Sequence, residues 1–270
     1  MIAANLVGAG GAGGEAGRDM GGDNGGVPPT AAGSTAGSTP ARHNPRWAVA
    51  EQVSEALRRR WGPELQAVGV HGSLAHGDDT DASDVDIVAV TRRGQTGPTP
   101  GARRIDGVIV DLGVIGADEY LRHARTLTTS WPLVADQYLT TKALHDPDSW
   151  LPRLRDAHLA RLTQAEGQVF AALAREAWCR AMSAQAKARR MAEWYETEAA
   201  MVVLAEVRLA VAVVDGLLTR TYFRNSADAV KRAGVATSHI YELGERLTAQ
   251  AKELARRGRP VDGAIEDLTG

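Results

Sequence analysis

The chain has 270 residues, with 31 Lys and Arg against 33 Asp and Glu, a formal charge of −2 and one cysteine. That length suits one or two domains with a sizeable core, and the balanced charge lacks the basic footprint that phosphate-backbone binding needs, which argues against nucleic acid as the main partner. Cys179 alone excludes an internal disulfide framework; set in a helical pattern, it is expected to be a small buried hydrophobe.

Residues 1–41 are mostly Gly, Ala, Ser, Thr and Pro with few large apolar side chains, so disorder is expected there. They lack the basic start and unbroken apolar core of a signal peptide, and a cytoplasmic protein is expected. Asn44-Pro45 opens a helix as N-cap and first helical residue, and Trp47, Ala50, Val53, Leu57 and Trp61 form its stripe until Gly62-Pro63. The apolar run Ala67-Val68-Gly69-Val70 reads as a strand that ends in a small-residue turn, Gly72-Ser73, able to approach a phosphate closely. After a polar loop comes Ser83-Asp84-Val85-Asp86 and a second strand. Alternation places Asp84 and Asp86 on one face and Val85 and Ile87 on the other.

Residues 91–104 read as a Gly/Pro/Arg loop and 105–115 as a third strand carrying Asp111 among Val108, Ile109, Val110 and Leu112. A carboxylate in so apolar a strand needs a partner or solvent. Residues 117–128 read as a helix, Trp131-Pro132 breaks the pattern before a short helix, and residues 143–146 as one more strand. From Trp150 onward strand signals vanish and four or five helices are expected. The one long apolar stretch, 199–218, contains Glu206, Arg208 and Asp215 and reads as a core helix, not a membrane span. The fold class is therefore α+β, with a tail at 1–41, a domain at 42–148 built on a mixed sheet, and a helical domain at 149–270.

Two carboxylates beside a phosphate-sized turn make a hard-cation site. Mg²⁺ is usually held by one or two carboxylates plus the phosphates of its substrate. His71 and His76 flank the turn, but with oxygen ligands around them and no Cys or His cluster, Mg²⁺ is the better reading than zinc.

Gly72-Ser73 followed by Ser83-Asp84-Val85-Asp86 resembles the nucleotidyltransferase-fold superfamily. Gly-Val-His-Gly-Ser-Leu at 69–74, Ser-Asp-Val-Asp at 83–86, and Ser130-Trp131-Pro132-Leu133 with Gln137-Tyr138 look like the kanamycin (aminoglycoside 4′) nucleotidyltransferases. The likeness is close in the first half and thins in the second. It implies an N-terminal nucleotidyltransferase domain with a C-terminal helical bundle, ATP or another NTP as co-substrate, Mg²⁺ on Asp84, Asp86 and a third acid, Asp111, and nucleotide contacts at Gly72, Ser73 and Ser83. It further implies transfer of AMP to an aminoglycoside hydroxyl, conferring antibiotic resistance, in a homodimer whose active site lies between subunits. An Arg stands at position 76 in some relatives, so His76 weakens any phosphate role there.

In those enzymes a Glu and a Lys four residues apart on the first long helix of the second domain act as base and phosphate contact. Glu176, Arg180, Ser183 and Lys187 lie on one helical stripe. Glu176 with Arg180 reproduces the spacing; counting back from Gly216-Leu217 favours Lys187 as the phosphate contact and leaves Ser183 at the Glu position. An ordinary surface ion pair explains Glu176 equally well. Glu193, Glu196 and Glu198 supply carboxylates for a polycationic acceptor, or a solvated helix face. A lincosamide or protein acceptor, and a catalytically silent nucleotide-binding module, stay open as alternatives.

Overall fold

The computed structural model describes residues 44–94, 96–194 and 197–269, all within the unit His43–Gly270; the disorder expected for residues 1–41 lies outside them. Helix α1 (Pro45–Trp61) starts as its sequence dictates. The Asn44 carboxamide accepts the Arg46 N–H at 3.0 Å, and Pro45 occupies a position whose missing N–H costs no bond.

There follow β1 (Leu65–His71), α2 (Gly72–His76), β2 (Val85–Thr91), β3 (Gly101–Ile105), β4 (Val108–Gly116), α3 (Ala117–Arg125), α4 (Trp131–Thr140) and β5 (Lys142–His145). The strands form one mixed sheet in the order β3-β4-β2-β1-β5. β2 and β4 run parallel; the other pairs are antiparallel.

The third strand expected at 105–115 is corrected to a hairpin. Residues 101–105, expected as loop and strand start, are β3, and Asp106 and Gly107 turn the chain with φ of 49° and 83°. Two consecutive residues at positive φ make the tight turn whose twist matches paired strands, and Asp-Gly is its usual sequence. β3 itself carries no apolar alternation, because it is an exposed edge.

Strand alternation builds a core on each face of the sheet. Val85, Ile87 and Ala89 of β2 join Val68, Val70 and Val110 beneath Val49, Ala50 and Leu57 of α1. Val88 and Val90 join Ala67 and Ile115 beneath Tyr120 and Ala124 of α3, Tyr138 of α4 and Trp150, Leu151 and Leu154 of the next helix, α5 (Trp150–Gln164).

Beyond α5 come α6 (Gly167–Trp194), α7 (Thr197–Thr219), α8 (Ser226–Arg232), α9 (Ile240–Arg256) and α10 (Glu266–Thr269). A stripe of small residues on α6 (Ala171, Ala174, Ala177, Ala181) lets Val207, Val211, Val214 and Leu217 of α7 pack closely, with Leu243, Leu247 and Leu254 of α9 closing the cluster. The apolar stretch 199–218 is thus the core helix expected. Among the described residues no helix is long and apolar enough to cross a membrane. The expectation of a buried Cys179 fails: the thiol is exposed. Two residues from Ala177 turn the helix by about 200°, away from the buried stripe.

At Gly216 of α7 a Cβ would stand 2.7 Å from the Phe223 ring, 2.9 Å from Pro132 and 2.9 Å from the Thr221 carbonyl. The Phe223 N–H donates to the Pro132 carbonyl at 2.7 Å. The loop after α7 is thereby held on the start of α4.

Candidate active site

Gly72 joins β1 to α2 with φ of 69°, a conformation that L side chains rarely adopt, and a Cβ there would run into the Asp86 carboxylate. The turn is therefore seated directly on that carboxylate. Ser73 follows it, half-buried, and Gly77 closes the short helix with its N–H on the Ser73 carbonyl at 2.9 Å.

Across the sheet His71 of β1 pairs with Asp86 of β2, and Asp86 pairs with Asp111 of β4. Directly paired residues share a face, so the three stand in one row on the side that carries Val88, Val90 and Ile115. β4 lies between β3 and β2, so Asp111 is an inner-strand residue and is half-buried. Asp84 immediately precedes β2 and is exposed.

The electrostatics follow from that row. Burial, then the charges of Asp84 and Asp111, push the Asp86 carboxyl up to about 7. Burial also holds the His71 imidazole below its ordinary value, against the opposing pull of Asp136, Asp111 and Asp84. A neutral His71 thus faces a cluster short of positive charge. Among the described residues no three acidic, His or Cys side chains already stand in metal-binding geometry. The donor set nonetheless fits a hard divalent cation: all oxygen, mutually repelling, and seated by a glycine too close for any side chain to intervene.

The loop between the two motifs is pinned from α1. Arg46 is 7 % exposed; its Nε donates to the Ser83 carbonyl at 3.0 Å, and its guanidinium lies 4.0 Å from Asp79 and 3.8 Å from Asp81. Asn44 donates to Asp79 at 2.9 Å. The Ser83 hydroxyl accepts the Thr80 N–H at 2.9 Å, so it is engaged within the loop. Replacing Arg46 by Ala strips a buried carboxylate of its cation and the Ser83 carbonyl of its donor. The expected loss is about 2–3 kcal/mol in chemical denaturation. A loss no larger than an exposed ion pair gives would show that the loop does not depend on Arg46.

At the other end of α2, His76 Nε2 lies 3.1 and 3.0 Å from the two oxygens of Asp136, a residue of α4 that is 4 % exposed. Thr140 donates to the same carboxylate at 3.1 Å. Sequence reasoning passed over Asp136; the available signal was a single acid following Val134-Ala135 on a short apolar helix, which demands a buried partner.

Among the described residues no hydrogen bond or ion pair joins Glu176 or Lys187 to this row. Both are exposed on α6 with Ser183 and Arg180. Glu176 accepts from Arg180 at 2.5 Å, and Arg180 donates to Thr129 at 3.0 Å. Glu193 and Glu198 are exposed near the α6–α7 turn; Glu196 lies outside the described residues. His158, buried between the Ala124 carbonyl at 2.6 Å and the Trp131 indole at 3.2 Å, is structural.

Residues 50–128 match the family model of the nucleotidyltransferase domain. The matched stretch begins within α1, ends just beyond α3, and contains Gly72, Ser73, Asp84, Asp86 and Asp111. Comparison with curated proteins returns no match. Among solved structures, a nucleotidyltransferase-like protein from Exiguobacterium sibiricum 255-15 overlaps 77 % of this chain and 75 % of its own, at 13 % identity and a TM-score of 0.41. At that level of overlap neither fold detail nor chemistry carries across from it.

Proposed function

We propose that this protein transfers a nucleoside monophosphate, AMP in the first instance, from an NTP to a hydroxyl of an aminoglycoside, releasing pyrophosphate. The observation that carries the reading is the Asp86–Asp111 register beside Gly72, in a stretch that matches the nucleotidyltransferase domain. Asp84, Asp86 and Asp111 would hold a divalent cation, Mg²⁺, which when bound would supply the positive charge that phosphoryl transfer needs. Gly72 and Ser73 hold phosphate oxygens through backbone N–H groups and the serine hydroxyl. The acceptor oxygen attacks the α-phosphorus in line; the new O–P bond forms as the bond to pyrophosphate breaks, and a base takes the hydroxyl proton. Glu176 is the base in this reading, with Arg180 beside it, and Lys187 is the phosphate contact in the other register; in either, the group reaches the row from a second subunit of a homodimer.

The aminoglycoside acceptor is supported by the likeness of residues 69–74, 83–86 and 130–138 to the kanamycin enzymes and by the exposed Glu193 and Glu198, which suit a polycation. Growth of cells with and without the expressed protein in kanamycin, tobramycin, amikacin and lincomycin tests it. Protection against the aminoglycosides, with an adduct heavier by AMP in cell extracts and loss of transfer with chelator, is the expected result. Protection against lincomycin alone would reassign the acceptor. No adduct with any nucleotide, from a folded protein supplied with Mg²⁺, would end the transferase reading.

A further inference from the structure

Between α2 and the loop that follows α7 lies a cavity of about 400 Å³ lined by His76, Asp136, Arg220, Tyr222, Arg224 and Arg232. Three arginines converge there from the helical part of the chain. Two are already matched: Arg224 pairs with Asp78, and Arg232 lies 3.5 Å from Asp228 while donating to the Tyr222 carbonyl at 3.0 Å. Arg220 has no acidic partner among the described residues. Its guanidinium lies 5.0 Å above the ring of the buried Phe170, a contact that brings no opposite charge.

The backbone at Arg220 is the second observation. The Thr221 N–H bonds to the Gly216 carbonyl at 2.8 Å, closing α7 in the form that places the next residue in the left-handed region, and Arg220 has φ of 53°. Glycine is the usual occupant of that position because a Cβ is strained there. A strained cation that lines a cavity and has no acidic partner among the described residues is better explained by a ligand than by the fold.

The cavity adjoins the turn already described. His76, on its wall, is four residues along α2 from Gly72, roughly 6 Å at the helical rise. We propose that Arg220, helped by Arg224, forms an anion subsite for the terminal phosphates of the nucleoside triphosphate, and for pyrophosphate once transfer is complete. The identity of the anion rests on the nucleotidyl-transfer reading; the existence of the subsite does not. The Arg224–Asp78 pair is half exposed on both sides, so it holds weakly and a multiply charged phosphate displaces it. Because Phe223 is fastened to Pro132, binding here also fixes the bundle against the domain that carries Asp86.

Calorimetric titration of the full chain with inorganic tripolyphosphate, ATP and AMP tests the subsite. Wild type is expected to bind all three. Arg220→Gly should weaken tripolyphosphate and ATP by about tenfold or more and leave AMP unchanged, the span of one lost charged hydrogen-bond donor. It should do so with a melting temperature held or raised, since glycine relieves the backbone. A residue that only closes the helix would not part these readouts. Arg220→Gln, which keeps the stem over Phe170 but not the charge, should show the same loss, and Arg224→Ala a smaller one. Tripolyphosphate that does not bind wild type, or binds the Arg220 variants equally well, overturns the proposal, as does equal weakening of ATP and AMP. The two readings fail separately: Arg220-dependent tripolyphosphate binding in a protein that modifies no acceptor upholds the subsite and removes the transferase, and undiminished transfer in Arg220→Gln does the reverse.

Discussion

Asp86→Asn is expected to lower nucleotide transfer by roughly 10³-fold or more, while making the metal-free protein more stable. The two effects share one cause. In the folded chain burial and the charges of Asp84 and Asp111 raise the Asp86 carboxyl to about 7 from its ordinary 3.8. Below about pH 4 the group is protonated whether the chain is folded or not, and costs nothing. As pH rises from 4 to 7 the unfolded chain releases its proton first, so the folded state loses stability progressively; above 7 the cost is complete. The shift caps that cost at about 4 kcal/mol, and local relaxation leaves about 2–4. Asparagine keeps the shape and carries no charge, so its stability gain should be absent at pH 4 and full at pH 8. Thermal melts at the two pH values, with and without Mg²⁺, measure it. A variant that is no more stable at pH 8 than wild type would mean that the carboxylates are already neutralised within the fold, and transfer at the wild-type rate would remove Asp86 from the site.

Glu176→Gln is expected to lower kcat by roughly 10²–10⁴-fold, the usual span for a lost general base, with nucleotide affinity little changed. The geometry sharpens this test, because Glu176 is exposed, paired with Arg180, and without a described contact to the carboxylate row of its own chain. If the base comes from a second subunit, two dead variants should repair each other. Asp86→Asn mixed with Glu176→Gln, dissociated and reassociated, gives heterodimers in which one of two sites has both wild-type residues. Activity should return to about a quarter of the wild-type rate for random pairing. No recovery, with Glu176→Gln alone inactive, places the base in the same chain. Normal turnover by Glu176→Gln with impaired Lys187→Ala selects the other register, and Glu193 is then the next carboxylate to replace.

Local chemistry determined much of this site. Gly72, Ser73 and the alternation through Asp84, Val85, Asp86 and Ile87 follow from short-range rules, since a strand's faces alternate whatever surrounds it, and the end of α1 and the core helix at 199–218 follow from capping and composition in the same way. The hairpin at Asp106-Gly107 was equally local, and was missed only because the apolar residues after it outweigh the turn signal. Other features had no local trace. Whether Asp111 stands beside Asp86 depends on β4 pairing with β2 between residues 25 positions apart, which sequence can suggest only by likeness. The raised Asp86 carboxyl needs both the burial and the neighbours that this register creates. Cys179 reads as buried by residue type, yet its side of α6 was settled by which alanines face α7. Arg220 is the clearest case: nothing in the string around it marks it out, and its character comes from a helix end, the ring of Phe170 and a cavity walled by α2, elements that only the folded chain brings together, because charge, strain and solvent access are properties of an environment and not of a residue.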